Sequence, residues 1–263
     1  MTVVSIIINL HREGNMCRGA VESVLRAVRL SEALGLTSEI ICVIDNGDEN
    51  TLKCITRYEQ FVKIFECSFG DLSLARNFGA VKACGRFVTF IDGDDLWGNE
   101  WVTRCVTTMT ARQNAKLVLH PQVNLYFGDG MPSSIWVHPN VSTGDVDLLD
   151  VFISNRWTAS CFAHREVFLN CPYTSNQIDK GFGYEDWLWH IRTILEGYEH
   201  SFCPKTCHFI RRKETGSLLK QTNRRKSLPN LNDACDLSEL RRRLLEIIEK
   251  ERPLTPYHKP AHK

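Results

Sequence analysis

The sequence predicts an α/β fold with a Rossmann-like, mostly parallel central sheet flanked by helices. Over residues 1–92, short apolar runs rich in β-branched residues alternate with segments of helical periodicity. This alternation is typical of a doubly wound sheet with right-handed crossovers. From residue 99 onward the order of strands and helices is less regular, and we expect this half to be mixed α+β.

The elements of the first half follow from the spacing of their apolar residues. Strands are predicted at residues 3–8, 39–44, 62–66 and 86–92. Helices are predicted at residues 15–34, 51–61 and 73–85. Gly85 supports the end of the third helix, because glycine is favoured just past a helix C-terminus.

The second half contains weaker patterns. Helices are predicted at residues 99–112, 146–155, 165–170 and 182–198, and strands at 116–127 and 157–164. Residues 211–226 are basic and interrupted by Gly and Ser, so we expect a mobile or ligand-ordered loop. Apolar spacing predicts an amphipathic C-terminal helix at 236–250, followed by a disordered tail.

The composition limits the classes of function. The chain has 263 residues, of which 43% are hydrophobic and 24% charged, with a formal net charge of +1. This gives no polyelectrolyte signature, so we expect no nucleic-acid partner. No apolar stretch is long enough to span a membrane, and no signal peptide is evident. With 11 cysteines scattered singly, we expect reduced thiols and a cytoplasmic location.

The most informative motif is RFVTFIDGDDLW, residues 86–97. An apolar run ends in Asp92, Asp94 and Asp95, and parallel strands deliver ligand-binding residues at their carboxyl ends. Crowded carboxylates repel one another unless a cation lies between them. Mn²⁺ or Mg²⁺ suits such oxygen ligands together with the phosphates of a substrate. The alternative is a polar turn in which the aspartates cap the next helix.

Five blocks of sequence, in this order, resemble the family 2 glycosyltransferases, which are inverting sugar-nucleotide enzymes with the GT-A fold. The blocks are VSIII, VIDNGDENT, LSLARNFGAVKACGRFVTFIDGDD, GYEDW and HFIRRKETGSLL. The resemblance covers residues 3–219 and implies a division of the chain. Residues 1–98 would bind the nucleotide sugar, residues 99–228 would bind the acceptor and carry the catalytic base, and residues 229–263 would form the C-terminal helix and tail.

The resemblance implies roles for residues on the donor side. Asp45 would accept a hydrogen bond from the nucleobase, and Arg76 would bind a phosphate or a sugar hydroxyl. Asp92 would contact the ribose or the sugar, and Asp94 would ligate the metal that bridges the phosphates. Asp95 would be a cap or a supporting group. A turn-forming aspartate and a helix-surface arginine are the alternatives for the first two.

Asp186 is the candidate general base. In an inverting transfer the acceptor hydroxyl loses a proton as it attacks the anomeric carbon, and a nearby carboxylate can accept that proton. Neighbouring helix residues do not share a face, so Glu185 and Asp186 cannot both point at the acceptor. The resemblance favours Asp186, and leaves Glu185 to bind acceptor hydroxyls or to support the structure. A favourable interaction with the helix N-terminus is the alternative for one of them.

The basic segment near the end of the resemblance would close over the donor. His208 would be a second metal ligand, with a core or surface histidine as the alternative. Arg211 and Arg212 would clamp the diphosphate, although one of the two could simply be solvated. Ser217 belongs to the same substrate-binding segment.

The first strand and the turn after it depart from the family pattern. Asn9 and Arg12 stand where a proline and then an asparagine are usual, and His11 occupies the usual aromatic position. We include Asn9, His11 and Glu13 in the substrate-binding set, with His11 bordering the base. These departures leave the nucleobase undefined.

The implied reaction moves a sugar from a nucleotide-diphospho sugar, with a UDP-sugar as the expected donor. The acceptor would be a glycan or a lipid-linked glycan in bacterial surface polysaccharide, O-antigen or capsule assembly. Trp136, His138, Trp157 and His164 are acceptor-site candidates that no motif anchors. The C-terminal helix, which carries consecutive arginines, would contact the inner face of the membrane or form a homodimer.

Two other functions remain open at this point. A sugar-phosphate nucleotidyltransferase would have a Gly-rich, basic loop directly after the first strand, and NLHREGNMCRG matches this poorly. A non-catalytic nucleotide- or carbohydrate-binding module of the same fold would need neither the metal ligand Asp94 nor the base Asp186.

Overall fold

One mixed sheet organises the molecule. The computed structural model describes residues 2–128, 130, 132–140, 150–213 and 218–233. The strands are β1 (Val4–Leu10), β2 (Ser38–Asp45), β3 (Lys63–Cys67), β4 (Phe87–Asp92), β5 (Leu96–Trp97), β6 (Leu117–Phe127), β7 (Ser134–Val137), β8 (Phe162–His164) and β9 (Glu199–Arg211). The helices are α1 (Cys17–Glu32), α2 (Glu49–Thr56), α3 (Leu72–Lys82), α4 (Trp101–Arg112), α5 (Asp150–Ile153), α6 (Arg165–Asn170), α7 (Glu185–Leu195) and α8 (Leu218–Arg224).

The first half forms the parallel part of the sheet, as predicted. Its strands lie in the order β3-β2-β1-β4, and all three pairings are parallel. Every residue of β1 is buried, because helices cover both faces of this part of the sheet. In the register, Asn9 at the end of β1 lies opposite Val43 of β2 and Asp92 of β4. The carboxyl ends of these strands therefore meet at one edge.

The second half extends the sheet with mixed pairings, which confirms the expected change of pattern. Beyond β4 the order is β8-β6-β9-β5, with β7 paired to β6. β8 is antiparallel to both β4 and β6, whereas β6 and β9 run parallel over most of their length. Residues 116–127, predicted as one or two strands, form the single strand β6 with an irregularity between Pro121 and Val123.

Helices pack on both faces of the sheet and form its core. One face packs against α1 and α4, where Trp101 and Val24 are fully enclosed. The other face packs against α3, α6 and α7, where Phe168, Tyr173 and Trp189 stack on one another. Trp189 thereby packs α7 against this face of the sheet.

The structure differs from the expectations at two places. Residues 211–226 are not a continuous loop, because β9 continues to Arg211 and α8 spans Leu218–Arg224. Thr222 of α8 is buried, and its hydroxyl donates to the carbonyl of Leu218 within the same helix. The strand expected at 157–164 is confined to Phe162–His164.

Two regions that the sequence singled out lie beyond the described residues. Both Ser217 and the helix expected at 236–250 belong to them. Within the described ranges, no helix is long and apolar enough to cross a membrane.

Candidate active site

A cleft of about 1410 Å³ lies at the carboxyl ends of the parallel strands. This is the edge where open α/β sheets bind ligands. The cleft brings together residues from both halves of the chain, and its polar lining includes Asn9, His11, Glu13, Asp45, Arg76, Asp92, Asp94, Asp95, Asn155, Glu185, Asp186, His208, Arg211, Arg212 and Lys213. The catalytic, metal and substrate-binding residues that the family resemblance implies are therefore in one cavity, except Ser217, which lies outside the described residues.

The acidic turn after β4 is held tightly against β1. The N–H of Gly93 donates to the carbonyl of Asn9 at 2.8 Å. A Cβ on Gly93 would lie 2.5 Å from Leu10 Cδ2 and 3.0 Å from Asn9 O, so only glycine fits here without a shift. The N–H of Asp95 donates to the carbonyl of Asp92 at 3.1 Å and closes the turn.

Arg76 lies between the acidic turn and the start of α7. Its Nη1 donates to Glu185 Oε1 at 2.7 Å, and its Nη2 donates to Asp92 Oδ1 at 3.2 Å. The guanidinium is only 1% exposed and stacks over the ring of Tyr173. Burial opposes the charge, but the two carboxylates outweigh this effect and raise the pKa of Arg76. The arginine thus positions both carboxylates as well as lining the cleft.

The first turn of α7 gives its two acidic residues different environments. Glu185 uses one carboxylate oxygen for Arg76 and the other for the side-chain amide of Asn176, at 3.0 Å. Asp186 accepts from Asn155 Nδ2 at 3.0 Å and from the N–H of Trp187 at 2.8 Å. Burial first, and then the nearby charge of Glu185, raise the pKa of Asp186 to about 7.

Asp94 is paired with a lysine that the sequence analysis missed. Lys213 Nζ lies 2.6 Å from Asp94 Oδ2. Burial would lower the pKa of Lys213, but Asp94 outweighs this and raises it, so the ammonium stays charged. Lys213 follows Arg211 and Arg212 in the sequence, and the run RRK was the available signal. The position of the end of β9 in the fold decides which of these three basic side chains pairs with the Asp94 carboxylate.

Asp95 and His208 form a second buried pair beside the first. His208 Nε2 lies 3.2 Å from Asp95 Oδ2, and the backbone N–H of Arg211 donates to Asp95 Oδ1 at 2.8 Å. Burial raises the pKa of Asp95, although the histidine opposes this shift. Asp95 therefore ties the end of β9 to the acidic turn, which agrees with its expected supporting role.

The donor atoms of the cleft suit a hard divalent ion, but they are not gathered around one point. Carboxylate oxygens and an imidazole are ligands that Mn²⁺ accepts, and both ring nitrogens of His208 are buried without an aligned hydrogen-bond partner. Among the described residues, no three acidic or histidine groups of the cleft have donor atoms within 4.8 Å of one another. A metal ion at Asp94 would have to displace Lys213 from the carboxylate or share the carboxylate with it.

Asp45 organises the loop between β3 and α3. Its carboxylate oxygens accept from the backbone N–H groups of Phe69, Gly70 and Asp71, at 2.7, 3.0 and 3.0 Å. Its own carbonyl contacts Nδ1 of His11. A carboxylate offers about four acceptor positions, so one further hydrogen bond from a ligand can be accommodated.

Asn9, which is buried, and Glu13, which is half-buried, line the cleft beside the end of β1. Neither side-chain amide atom of Asn9 has a hydrogen-bond partner, although the residue is only 4% exposed. Burial raises the pKa of Glu13, whose carboxylate accepts from the N–H of His11 at 2.6 Å. Buried polar groups without partners are uncommon in proteins, and ligand binding is one explanation for them.

Each of the two arginines at the end of β9 contacts an aromatic ring of β6. The Arg211 guanidinium stacks on Phe127, and its Nε donates to the carbonyl of Asp94 at 3.2 Å. The Arg212 guanidinium stacks on Tyr126. Both arginines line the cleft, and Arg211 contacts the acidic turn, whereas Arg212 Nη2 donates to Ser134 Oγ at 3.1 Å.

Of the four acceptor-site candidates, two line the cleft. Trp136 and Trp157 are part of its wall. His138 is instead enclosed behind it, where its Nε2 accepts from the N–H of Thr158 at 3.0 Å. His164 lies at the opposite edge of the sheet, because β8 pairs with the beginning of β4 and not with its end.

Comparison with known families agrees with this arrangement. The family model described as Glycosyl transferase family 2 matches residues 5–169. This match spans more than half of the chain, and the chain belongs to the glycosyl transferase family 2. The matched range contains the acidic turn and ends before Glu185, Asp186 and His208, so the placement of those three in the cleft comes from the structure. No curated protein matches the chain.

Crystal structures of S. aureus TarS have a similar fold. TarS superimposes with a TM-score of 0.60 at 15% identity, covering 97% of this chain and 44% of that one. TarS 1–349 in complex with UDP-GlcNAc gives a TM-score of 0.56 at 16% identity, covering 94% and 67%. The complex of TarS 1–349 with UDP gives 0.56 at 17%, covering 95% and 71%. The similarity confirms the GT-A type of fold, and the chain spans less than half of the length of TarS.

Proposed function

We propose that this chain is a metal-dependent, inverting glycosyltransferase that moves a sugar from a nucleotide-diphospho sugar to an acceptor hydroxyl. One observation carries the proposal. Asp186, a carboxylate with a pKa raised to about 7, lines the same cleft as Asp94 and the cations Arg211, Arg212 and Lys213. A base and a binding site for an anionic leaving group are the two parts that this reaction requires.

The donor nucleotide would occupy the side formed by the parallel strands. Asp45 would accept a hydrogen bond from the base, with His11 at its border, and Asp92 would contact the ribose or the sugar. Asn9 lines the same cleft and would also bind substrate. Arg211, Arg212 and Lys213, at the end of β9, would neutralise the diphosphate. We expect a UDP-sugar, and TarS, whose crystal structures contain UDP-GlcNAc and UDP, supports this choice.

Mn²⁺ or Mg²⁺ would be held by Asp94 and His208, with Asp95 shared between the histidine and the turn. When bound, the ion would stabilise the negative charge that develops on the departing diphosphate. Lys213 already lies on Asp94 and would supply positive charge next to the same phosphates. The protein side chains and the ion therefore act on one leaving group.

The acceptor would enter from the second half of the chain. Asp186 would accept the proton of its hydroxyl while the anomeric carbon is attacked from that side. Glu185 is a poorer candidate because Arg76 and Asn176 occupy its two oxygens. Trp136 and Trp157 would form the wall for a sugar ring of the acceptor.

We assign residues 1–98 to the donor half and 99–228 to the acceptor half of one GT-A domain. The acceptor we favour is a glycan or a lipid-linked glycan in surface polysaccharide assembly, the commonest role of the family in bacteria. Residues 229–263 would provide contact with the inner face of the membrane or with a second copy of the chain.

Thermal unfolding with nucleotides tests the donor site. UDP, GDP, TDP and CDP are each added with and without Mn²⁺, to the wild type, to Asp94→Ala and to the control Asp179→Ala, an exposed carboxylate. At about 100 times its Kd a ligand adds about 2.7 kcal/mol. We expect a metal-dependent shift with UDP that is lost only in Asp94→Ala. Absence of a shift with every nucleotide would contradict the proposal.

A further inference from the structure

Three histidines lie together in the core directly behind the candidate base. His120 on β6, His190 on α7 and His200 on β9 are each 1% exposed or less. One ring nitrogen from each lies within 4.8 Å of the other two. The cluster is separate from the acidic turn, and none of the three lines the cleft.

Each ring is held from outside by an oxygen atom. His120 Nδ1 lies 3.3 Å from the carbonyl of Ser160, and His200 Nε2 lies 2.9 Å from Thr193 Oγ1. His190 Nδ1 lies 3.2 Å from Asn155 Oδ1. Protein metal sites have this pattern, in which the nitrogen that does not bind the ion donates its proton to an oxygen.

A neutral imidazole carries one proton. If that proton lies on the nitrogen that contacts an oxygen, the other nitrogen, which faces the centre of the cluster, is unprotonated. The Thr193 hydroxyl lies 2.8 Å from the carbonyl of Trp189 and donates to it, so its oxygen accepts from His200 Nε2. His200 Nδ1 then carries no proton. Likewise, a proton on His120 Nδ1, facing a carbonyl, leaves His120 Nε2 bare. These two nitrogens are only 2.9 Å apart, a separation that is accommodated either by one proton shared between them or by a cation beside them.

The hydrogen bond between Asn155 and the candidate base Asp186 indicates which nitrogen of His190 is protonated. Asn155 donates from Nδ2 to Asp186, so its Oδ1 faces His190 and must accept from His190 Nδ1. His190 Nε2 is therefore also without a proton, and it is buried with no hydrogen-bond partner. Burial lowers the pKa of all three imidazoles, which keeps them in the neutral form that binds metals.

We propose that His120, His190 and His200 bind a divalent transition-metal ion of the zinc class in the core, at a site distinct from the one on the acidic turn. Imidazole nitrogens prefer Zn²⁺, Co²⁺ or Ni²⁺ to the hard ions that suit carboxylates. Zn–N bonds are about 2.0–2.1 Å long, so the rings need to separate only slightly to admit the ion.

Such an ion would join β6 to two later, consecutive elements of the chain. It would tie β6 and β9 to α7, and through His190 and Asn155 it would fix the amide that donates to Asp186. Asn155 and His190 are then positioning residues for the base. The site is closed, so the ion would enter during folding and displace any proton shared by the rings.

The test is metal analysis of the full-length chain. The protein is unfolded, refolded with Zn²⁺ or Co²⁺, and freed of loosely bound ions before elemental analysis. We expect one ion per chain in the wild type and in Asp94→Ala, which excludes the acidic turn as its location. His190→Gln and His200→Gln should fall to background. His138→Gln is the matched control, because it removes a neighbouring buried histidine whose Nε2 is already occupied.

Co²⁺ provides a readout that does not need the variants to fold. The wild type refolded with Co²⁺ should show visible absorption of the ion bound by the three imidazoles, and its Tm should exceed that of protein refolded with a chelator. Mg²⁺ should have neither effect. Folded wild type without a bound ion, or folded His190→Gln and His200→Gln with a full complement, would overturn the proposal. In that case one proton shared by His120 and His200 is the cation.

Discussion

Arg76 Nη1 lies 2.7 Å from Glu185 Oε1, which joins the helix after β3 to the helix that carries Asp186. The same guanidinium reaches Asp92 at 3.2 Å. One buried cation therefore links the acidic turn after β4 to the helix that carries Asp186. In the proposed reaction, this link would set the distance between the leaving group and the base.

The first prediction concerns this ion pair. Arg76→Met should lower the free energy of unfolding by about 3–5 kcal/mol, because it leaves buried carboxylates without their cation. Urea denaturation at pH 7 measures the change. Arg104→Met removes a partly exposed arginine that pairs with Glu100, the residue just before α4, and it should cost less than about 1 kcal/mol. Equal effects of the two substitutions would contradict the assigned role of Arg76.

The second prediction separates chemistry from donor binding. Asp186→Asn should reduce kcat by about 10²–10⁴-fold, because the amide cannot accept the acceptor proton. The Kd for UDP, measured by calorimetry, should stay within a factor of a few. Asp179→Asn alters an exposed carboxylate and should change neither quantity. Unchanged turnover in Asp186→Asn would exclude it as the base.

The third prediction is a pH dependence of activity. Because only the ionised carboxylate accepts a proton, kcat/KM should rise about tenfold per pH unit up to a midpoint near the Asp186 pKa of about 7. Asn155→Ala removes a hydrogen bond that favours the ionised form, so the midpoint should move to higher pH. Asn114→Ala, far from the cleft, is the control. A profile without an acid limb would count against this base.

The fourth prediction follows from the same pKa and concerns stability. Asp186 binds its proton more tightly in the folded chain than in the unfolded one, where the pKa is near 3.8. Its contribution to stability is thus present below that value and is lost as the pH rises through about 7. Asp186→Asn should therefore gain stability relative to the wild type between pH 4 and pH 8. Denaturant titrations across this range measure both unfolding free energies. A difference between wild type and variant that does not change with pH would show that the pKa of Asp186 is not raised.

The fifth prediction concerns Lys213, which the motif comparison did not identify. Lys213→Met should tighten Mn²⁺ binding in the absence of nucleotide, because the ammonium competes for Asp94 Oδ2. The same change should weaken UDP binding without metal, since one positive charge near the diphosphate is lost. Calorimetry measures both affinities, with the exposed Lys53→Met as the control. Effects of the same sign on both ligands would refute the competition.

The location of the site could be predicted from local sequence. Apolar β-branched runs defined β1, β2 and β4, and the polar residues that follow them are Asn9, Asp45 and Asp92. Because these strands are parallel neighbours, their carboxyl ends had to meet at one edge. Asp186 was also expected at the site, because GYEDW resembles the Glu-Asp block of the family. The structure places all four in the same cleft.

The partners of these residues could not be predicted, because they come from distant parts of the chain. Arg76 was expected to bind substrate, and its two ion pairs emerge only when α3 meets α7. His208 was expected to be a metal ligand, and only the fold shows that the end of β9 pairs it with Asp95 and brings Lys213 to Asp94. The register between β5 and β9 decides this, and no local pattern encodes it.

By itself the sequence determined the class of fold, the order of the strands along the chain and the chemical types gathered at the sheet edge. These properties depend on apolar periodicity and on the position of polar residues at strand ends. Only the tertiary structure decided which carboxylate is paired, which is left with a raised pKa, and that His120, His190 and His200 meet in the core. Burial and distance set the strength of electrostatic interactions, and both are properties of the packed molecule.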